Sequence, residues 1–268
     1  MSRRLPLFSI ITLLFIVSLS FLAPLLYTIS PFELNASKIL LPPSIENLMG
    51  TDRLGRDILA RVMYGGQVSL IIGVGSAIIS SLIGLVLGVS AGYFRGHFDK
   101  SFVVIVDLFL TFPTFFLLLA LVSYISASTL ILIIVISITG WMGTSRLIRS
   151  ESHKISKQPY IKVLTIAGVS NIKIIFKYFL PLIAPIFLVS FTFGVSGAIL
   201  AESGLSYLGL GVTPPNMSWG SILSSGKSVM EIAWWVSFFP GLMIFLVTFS
   251  LIQISDYLQE ISNQKSIQ

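Results

Sequence analysis

The 268-residue chain contains no cysteine, which excludes a disulfide framework and any thiolate metal site. It has only two histidines, His97 and His153, and no His or Glu cluster with metal-ligand spacing. Charge is also scarce: Asp, Glu, Lys and Arg make up 10% of residues, against about 25% in an ordinary soluble domain. A phosphate-binding loop is missing too. Gly226-Lys227-Ser228 has the ending of one, but the motif needs a glycine where position 221 is serine. The chain therefore has no nucleotide site of its own. What is abundant is apolar: 54% of residues are hydrophobic and the mean hydropathy is +0.94. This is the composition of an integral membrane protein. In that class a net charge of +6 reflects basic cytoplasmic loops, not nucleic-acid binding.

Six apolar runs are long enough to cross a hydrocarbon core. They cover about 7–29, 68–94, 102–124, 129–148, 182–201 and 234–254. The first exceeds the usual length of a cleaved signal core, so it is read as an uncleaved span. Residues 30–66 are polar and broken by Pro31, Pro42 and Pro43, and a loop at about 202–232 is rich in Gly and Pro. With the N-terminus in the cytoplasm, 12 of the 17 basic residues fall inside, Arg3 and Arg4 among them. The expected architecture is an all-α membrane protein with six transmembrane helices and both termini cytoplasmic. Its parts are a first helix and external loop (1–66), a membrane domain (67–258) and a cytoplasmic tail (259–268). The second span carries Gly73, Ala77, Ser81 and then Gly84, Gly88, Gly92, small residues at four-residue spacing that suit close helix packing in lipid.

The loop at 150–181 is basic and lies between two spans. Tyr160, Val163, Leu164 and Ala167 occupy one helix face, and Lys162 lies beside them. Gly168 stops that helix with a left-handed cap, and Ser170 caps a second with Ile172, Ile175, Phe176 and Phe179 on its apolar face. This is a docking element for a partner protein or a helix pair on the lipid surface. Two ionisable groups fall inside apolar runs. Asp107 is read as a structural hydrogen-bonded contact near a helix end rather than a pathway group; Glu202 is open between the two. Gly194-Val195-Ser196-Gly197 is similar to the serine motif of intramembrane rhomboid proteases, but both histidines lie in cytoplasmic loops away from Ser196. Small-residue packing is the simpler account, and a protease is a distant alternative.

Four stretches carry a wider resemblance, over roughly residues 48–258. They are Gly50-Thr51-Asp52-x-x-Gly55-Arg56-Asp57 with Ser69-Leu70, then Asp107 with Pro113, and Gly168 with Ile174-Ile175-Phe176 and Leu180-Pro181. The fourth is Glu202-Ser203-x-x-Ser206-x-Leu208-Gly209-Leu210-Gly211 followed by Pro215 and Ser218-Trp219-Gly220. Together they resemble the second permease of bacterial ABC importers for dipeptides, oligopeptides and nickel. The resemblance implies the type I importer permease fold in the inner membrane. It implies a homologous second permease, cytoplasmic ABC ATPase subunits and an external solute-binding protein as partners. No cofactor is implied in this chain, since ATP and Mg belong to the ATPase. The implied role is a non-enzymatic pathway subunit for di- or oligopeptides, with nickel or a nickel chelate as the alternative. One departure stands out. Where the family's docking loop has Glu-Ala-Ala, this chain has Lys162-Val163-Leu164.

Overall fold

The computed structural model describes residues 5–125 and 128–265; Arg3 and Arg4 lie outside the described residues. Among the described residues every regular element is helical, and the one extended pairing is an isolated bridge between Thr51 and Asp57. The ten α-helices are α1 (Leu7–Phe21), α2 (Ile58–Phe94), α3 (Gly96–Thr111), α4 (Thr114–Ser123), α5 (Thr129–Ser156), α6 (Pro159–Ile166), α7 (Asn171–Ile174), α8 (Leu180–Tyr207), α9 (Trp219–Gly226) and α10 (Trp235–Lys265).

The expected six spans are matched only in part among the described residues. Among the described residues, four helices are long and apolar enough to cross a membrane: α2, α5, the run Asn171–Tyr207 and α10. The α3–α4 pair makes a fifth if its two bent halves count as one. The predicted third span breaks at Pro113. Phe112, just before it, takes an extended conformation (ψ 135°), and the two helices diverge by 79°. A residue preceding proline is pushed out of the α region, which is why the apolar run could not stay one helix. The predicted first span stops at Phe21, before the short 3-10 turn Ala23–Leu25 that contains Pro24. Its 15 residues rise about 22 Å, less than the hydrocarbon thickness of about 30 Å. Elsewhere the helices outrun the hydropathy. α2 starts at Ile58 because Asp57 caps it, accepting from the Ala60 N–H at 2.8 Å. α5 continues to Ser156, and the loop expected at 202–232 contains the end of α8 and all of α9.

Packing centres on α2. Its first small-residue row meets α8: a Cβ on Gly73 would stand 2.5 Å from Ile199, and Gly194 comes within 3.5 Å of Ala77. Its second row meets α5, where a Cβ on Gly88 would stand 2.7 Å from the Ser145 carbonyl and one on Gly92 2.4 Å from Ser152. Small residues thus let backbones touch where lipid gives no hydrophobic drive for helix association. α1 lies against α2 and α10 through buried Ile16, and Gln67 donates to the Ser20 carbonyl at 2.8 Å.

Candidate functional site

The stretch between α5 and α8 forms a compact platform at one end of the bundle. Proline at the first turn starts α6, where its missing N–H costs nothing. Gly168 ends it with φ +75°: its N–H donates to the Thr165 carbonyl and the Val169 N–H to the Leu164 carbonyl, both at 3.1 Å. These two bonds form the Schellman cap that satisfies the last carbonyls of a helix. A Cβ at Gly168 would meet nothing within 4 Å, so its glycine is required by conformation and not by space.

The helix face differs from the sequence expectation. Ile161 is the buried residue of α6, with Leu164 leaning inward; Tyr160, Lys162, Val163, Ile166 and Ala167 are exposed. In the next segment Ser170 precedes α7 without a side-chain cap bond, and a π turn at Ile175–Phe179 leads into α8. Ile174 and Phe179 are buried while Ile172 and Phe176 point out. The wider π turn shifts the face by about a residue, which a uniform 3.6 period cannot anticipate. Ile161, Ile174 and Phe179 pack with Val89 of α2, Ile148 and Ile155 of α5 and Ile183 of α8 in one buried cluster. The platform is therefore bolted to three long helices, yet shows an apolar outer surface: Val163 is 63% exposed and Ile166 87%.

At the opposite end of α2, Asp52 is buried and accepts from the Leu54 and Arg56 N–H groups at 2.8 and 3.0 Å. Its other oxygen takes the Arg56 Nε at 2.7 Å and lies 3.6 Å from the Arg61 Nε. Gly55 sits so close to the Asn35 carbonyl that a Cβ would stand 1.8 Å from it. Trp235 Nε1 donates to the Thr51 carbonyl at 3.1 Å, joining this knot to α10. Burial raises the Asp57 carboxyl above its ordinary value.

Glu202 is fully buried in α8. It accepts from Ser206 Oγ at 2.6 Å and more distantly from Ser69 of α2 and Ser203. Ser69 in turn accepts the Trp219 N–H at 3.0 Å, and Trp219 Nε1 donates to the Val62 carbonyl at 2.9 Å. Ser218 caps α9 and lies 3.3 Å from Ser206. Gly209, at φ +84°, turns the chain after α8. Gly211 and Gly220 press onto α8, their Cβ positions 1.7 Å from Ser206 Oγ and 2.6 Å from Ser203 Cα. The serine-lined carboxylate thus clamps α2, α8 and α9 together.

Two ion pairs that the sequence reading did not assemble join α3 to α5. Asp99 receives Arg149 through two bonds, 2.5 Å from Nε and 2.8 Å from Nη2. Asp107 pairs with Arg146. Arg95, with φ 57°, also donates to Ser156 near the end of α5. The available signal was spacing: two aspartates eight residues apart on one helix and two arginines three apart on another.

Residues 84–268 match the family described as the binding-protein-dependent transport system inner membrane component. The chain belongs to that family. It is a membrane permease subunit of an ABC importer, not a catalytic enzyme. Relatives include the oligopeptide transport system permease protein of Mycobacterium tuberculosis, 36% identical over 88% of this chain and 81% of that one. The dipeptide transport system permease protein of Bacillus subtilis is 32% identical over 98% of this chain and 82% of that one. Among solved structures, the inward-facing MetNI methionine ABC transporter is similar in fold, with a TM-score of 0.58 and 17% identity, covering 75% of this chain and 96% of that one.

Proposed function

We propose that this permease carries di- or oligopeptides inward across the bacterial inner membrane and is driven by a separate ATPase docked on the α6–α7 platform. The single observation behind the coupling is that platform's construction. It is tied by buried Ile161, Ile174 and Phe179 to α2, α5 and α8, while Tyr160, Val163, Ile166, Ile172 and Phe176 face outward. A surface that is rigid underneath and apolar on top transmits force from a partner to the bundle. ATP binding closes the ATPase dimer, α6 moves with its cleft, and the long helices tilt from inward- to outward-open. The permease contributes only differential contacts to the two states, which is all that such a shift requires. Lys162 replaces an acidic family residue on this surface, so the ATPase should present an acidic group to it.

The peptide substrate rests on relatives named for peptides; no observation favours nickel. A homologous permease would complete the pathway, and an external solute-binding protein would deliver the cargo. Asp52, Gly55, Arg56 and Asp57, with Glu202, Gly209, Gly211, Trp219 and Gly220, would form the rigid external end on which that delivery takes place. Both termini would lie in the cytoplasm. The sixth crossing would need α1 together with the apolar turn Ala23–Leu25 that follows it; the exposed Phe8, Ile11, Leu14 and Phe15 suit contact with lipid.

The test is reconstitution of this chain with its partner permease, ATPase and binding protein in liposomes, followed by uptake of a labelled dipeptide. Accumulation should require ATP and stop when the ATPase is omitted. Transport that persists without the ATPase would instead identify a self-contained channel or secondary transporter.

A further inference from the structure

Asp107 stands about 16 Å along α3 from its first residue, at 1.5 Å per residue, flanked by Val106 and Leu108. Arg146 stands a similar distance from the last residue of α5. Both are charged, Asp107 five residues into the apolar run that begins at about 102 and Arg146 two residues before the end of the one that closes at about 148, and in the isolated chain their side chains are 53% and 49% exposed. An ionisable group inside an apolar run tends to face protein or water rather than lipid.

The rest of the α5 surface agrees. In its first half the exposed residues are Leu130, Ile134 and Ile138, the composition of a lipid-facing surface. From Gly140 onward the exposed face turns to Gly140, Gly143, Arg146, Leu147, Ser150 and Lys154. Only Leu147 there is a large apolar residue. A Cβ at Gly143, one turn from Arg146, would meet nothing within 4 Å, so this face of α5 is open there. Asp99–Arg149, by contrast, is less exposed and lies nearer the end of α5, where a structural tether is sufficient.

We infer that the Asp107–Arg146 pair and the second half of α5 form a water-filled wall of the translocation pathway, where the pair contacts the charged ends of a zwitterionic substrate. This rests on the peptide reading above. A free amino terminus can take the carboxylate and a free carboxylate the guanidinium, each exchanging one charge-assisted contact for another. No bond is made or broken, and the pair re-forms when the solute leaves.

The absence of native cysteine makes the test clean. Gly143→Cys and Ile134→Cys are each introduced into the assembled transporter and treated with an impermeant, hydrophilic methanethiosulfonate in inside-out vesicles. Gly143→Cys should react at least about tenfold faster, as thiol access dictates, and saturating dipeptide should slow it. Equal, slow labelling at both positions in a transporter that does take up dipeptide overturns the pathway wall. Absence of dipeptide uptake by the wild-type assembly overturns the peptide reading instead. A second variant separates substrate contact from tethering. The double exchange Asp107→Arg with Arg146→Asp keeps an ion pair, so membrane abundance should hold while dipeptide uptake falls at least about tenfold, roughly the loss of one charge-assisted contact. Normal uptake by the exchange variant, or labelling of Gly143→Cys that dipeptide leaves unchanged, overturns the substrate contact.

Discussion

Gly168 offers a test of the docking platform in which sterics and conformation separate. It adopts φ +75° with open space where a Cβ would stand. An L-residue held in the left-handed region costs about 1–2 kcal/mol, and that cost is the whole expected penalty here. Gly168→Ala should therefore shift the closed-to-open ratio of the cap by roughly 5- to 30-fold. Asparagine tolerates the conformation better than other residues, so Gly168→Asn should be mildest. Valine is an outlier at positive φ, and Gly168→Val should be worst. Fold and insertion should survive in all three, because Ile161 and Leu164 still seat α6 on the buried cluster. What is lost is the fixed exit from α6 into α7. The assay pairs membrane abundance with ATP-driven dipeptide uptake and substrate-stimulated ATP hydrolysis. Uptake should fall in the order Gly, Asn, Ala, Val while abundance stays constant. Wild-type uptake in Gly168→Val would refute the reasoning, as would equal damage from Asn and Val, since the second result means that bulk matters and conformation does not.

Other consequences can be checked alongside. Val163→Asp on the exposed platform should reduce coupled ATP hydrolysis without lowering permease abundance. Asp52→Ala leaves Arg56 and Arg61 beside an uncompensated site and should destabilise the knot around Asp52 by about 3–5 kcal/mol, read as a loss of thermal stability in detergent. Asp57 has its carboxyl raised by burial, so in the window from its unfolded value of 3.8 up to the raised value the folded state holds more protons. Stability from this group then falls as pH rises through that window, and Asp57→Asn should flatten the slope while keeping a cap. With both termini inside, Lys162→Cys should react only with reagent on the cytoplasmic side and Asn216→Cys only from outside.

Composition and hydropathy made the helical membrane class legible, and the two small-residue rows of α2 anticipated its closest contacts. Other features were invisible for identifiable reasons. Hydropathy measures lipid compatibility, so it missed the ends of α2 and α5, which continue past the apolar run under caps and tertiary packing. It also read through Pro113, where a single backbone restriction outweighs twenty apolar side chains. The Gly168 cap was readable because its signal is local, a glycine after a periodic run. The faces of α6 and α7 were not, because burial of Ile161 and Ile174 is decided by packing against α2, α5 and α8, which spacing within the segment does not report. The ion pairs and the Glu202 clamp fall in the same class: each partner was visible, but its pairing was set by helix crossing.

That distinction bears on how the chain divides its work. Two carboxylates are immobilised: Asp52 is saturated by two N–H groups and an arginine, and Glu202 is enclosed by serines joining three helices. Groups so fully satisfied resist rearrangement, because any motion strands a buried polar group. Asp107, by contrast, is partnered with an arginine but half-exposed. A transporter that must stay sealed outside while its centre exchanges contacts with cargo needs this inequality. It follows that neutralising Glu202 and neutralising Asp107 should fail differently. Glu202→Gln should lower the amount of assembled transporter and leave its substrate affinity alone. Asp107→Asn should leave assembly intact and weaken the apparent affinity for dipeptide. If both variants lose abundance equally, Asp107 is part of the same structural frame and the division collapses.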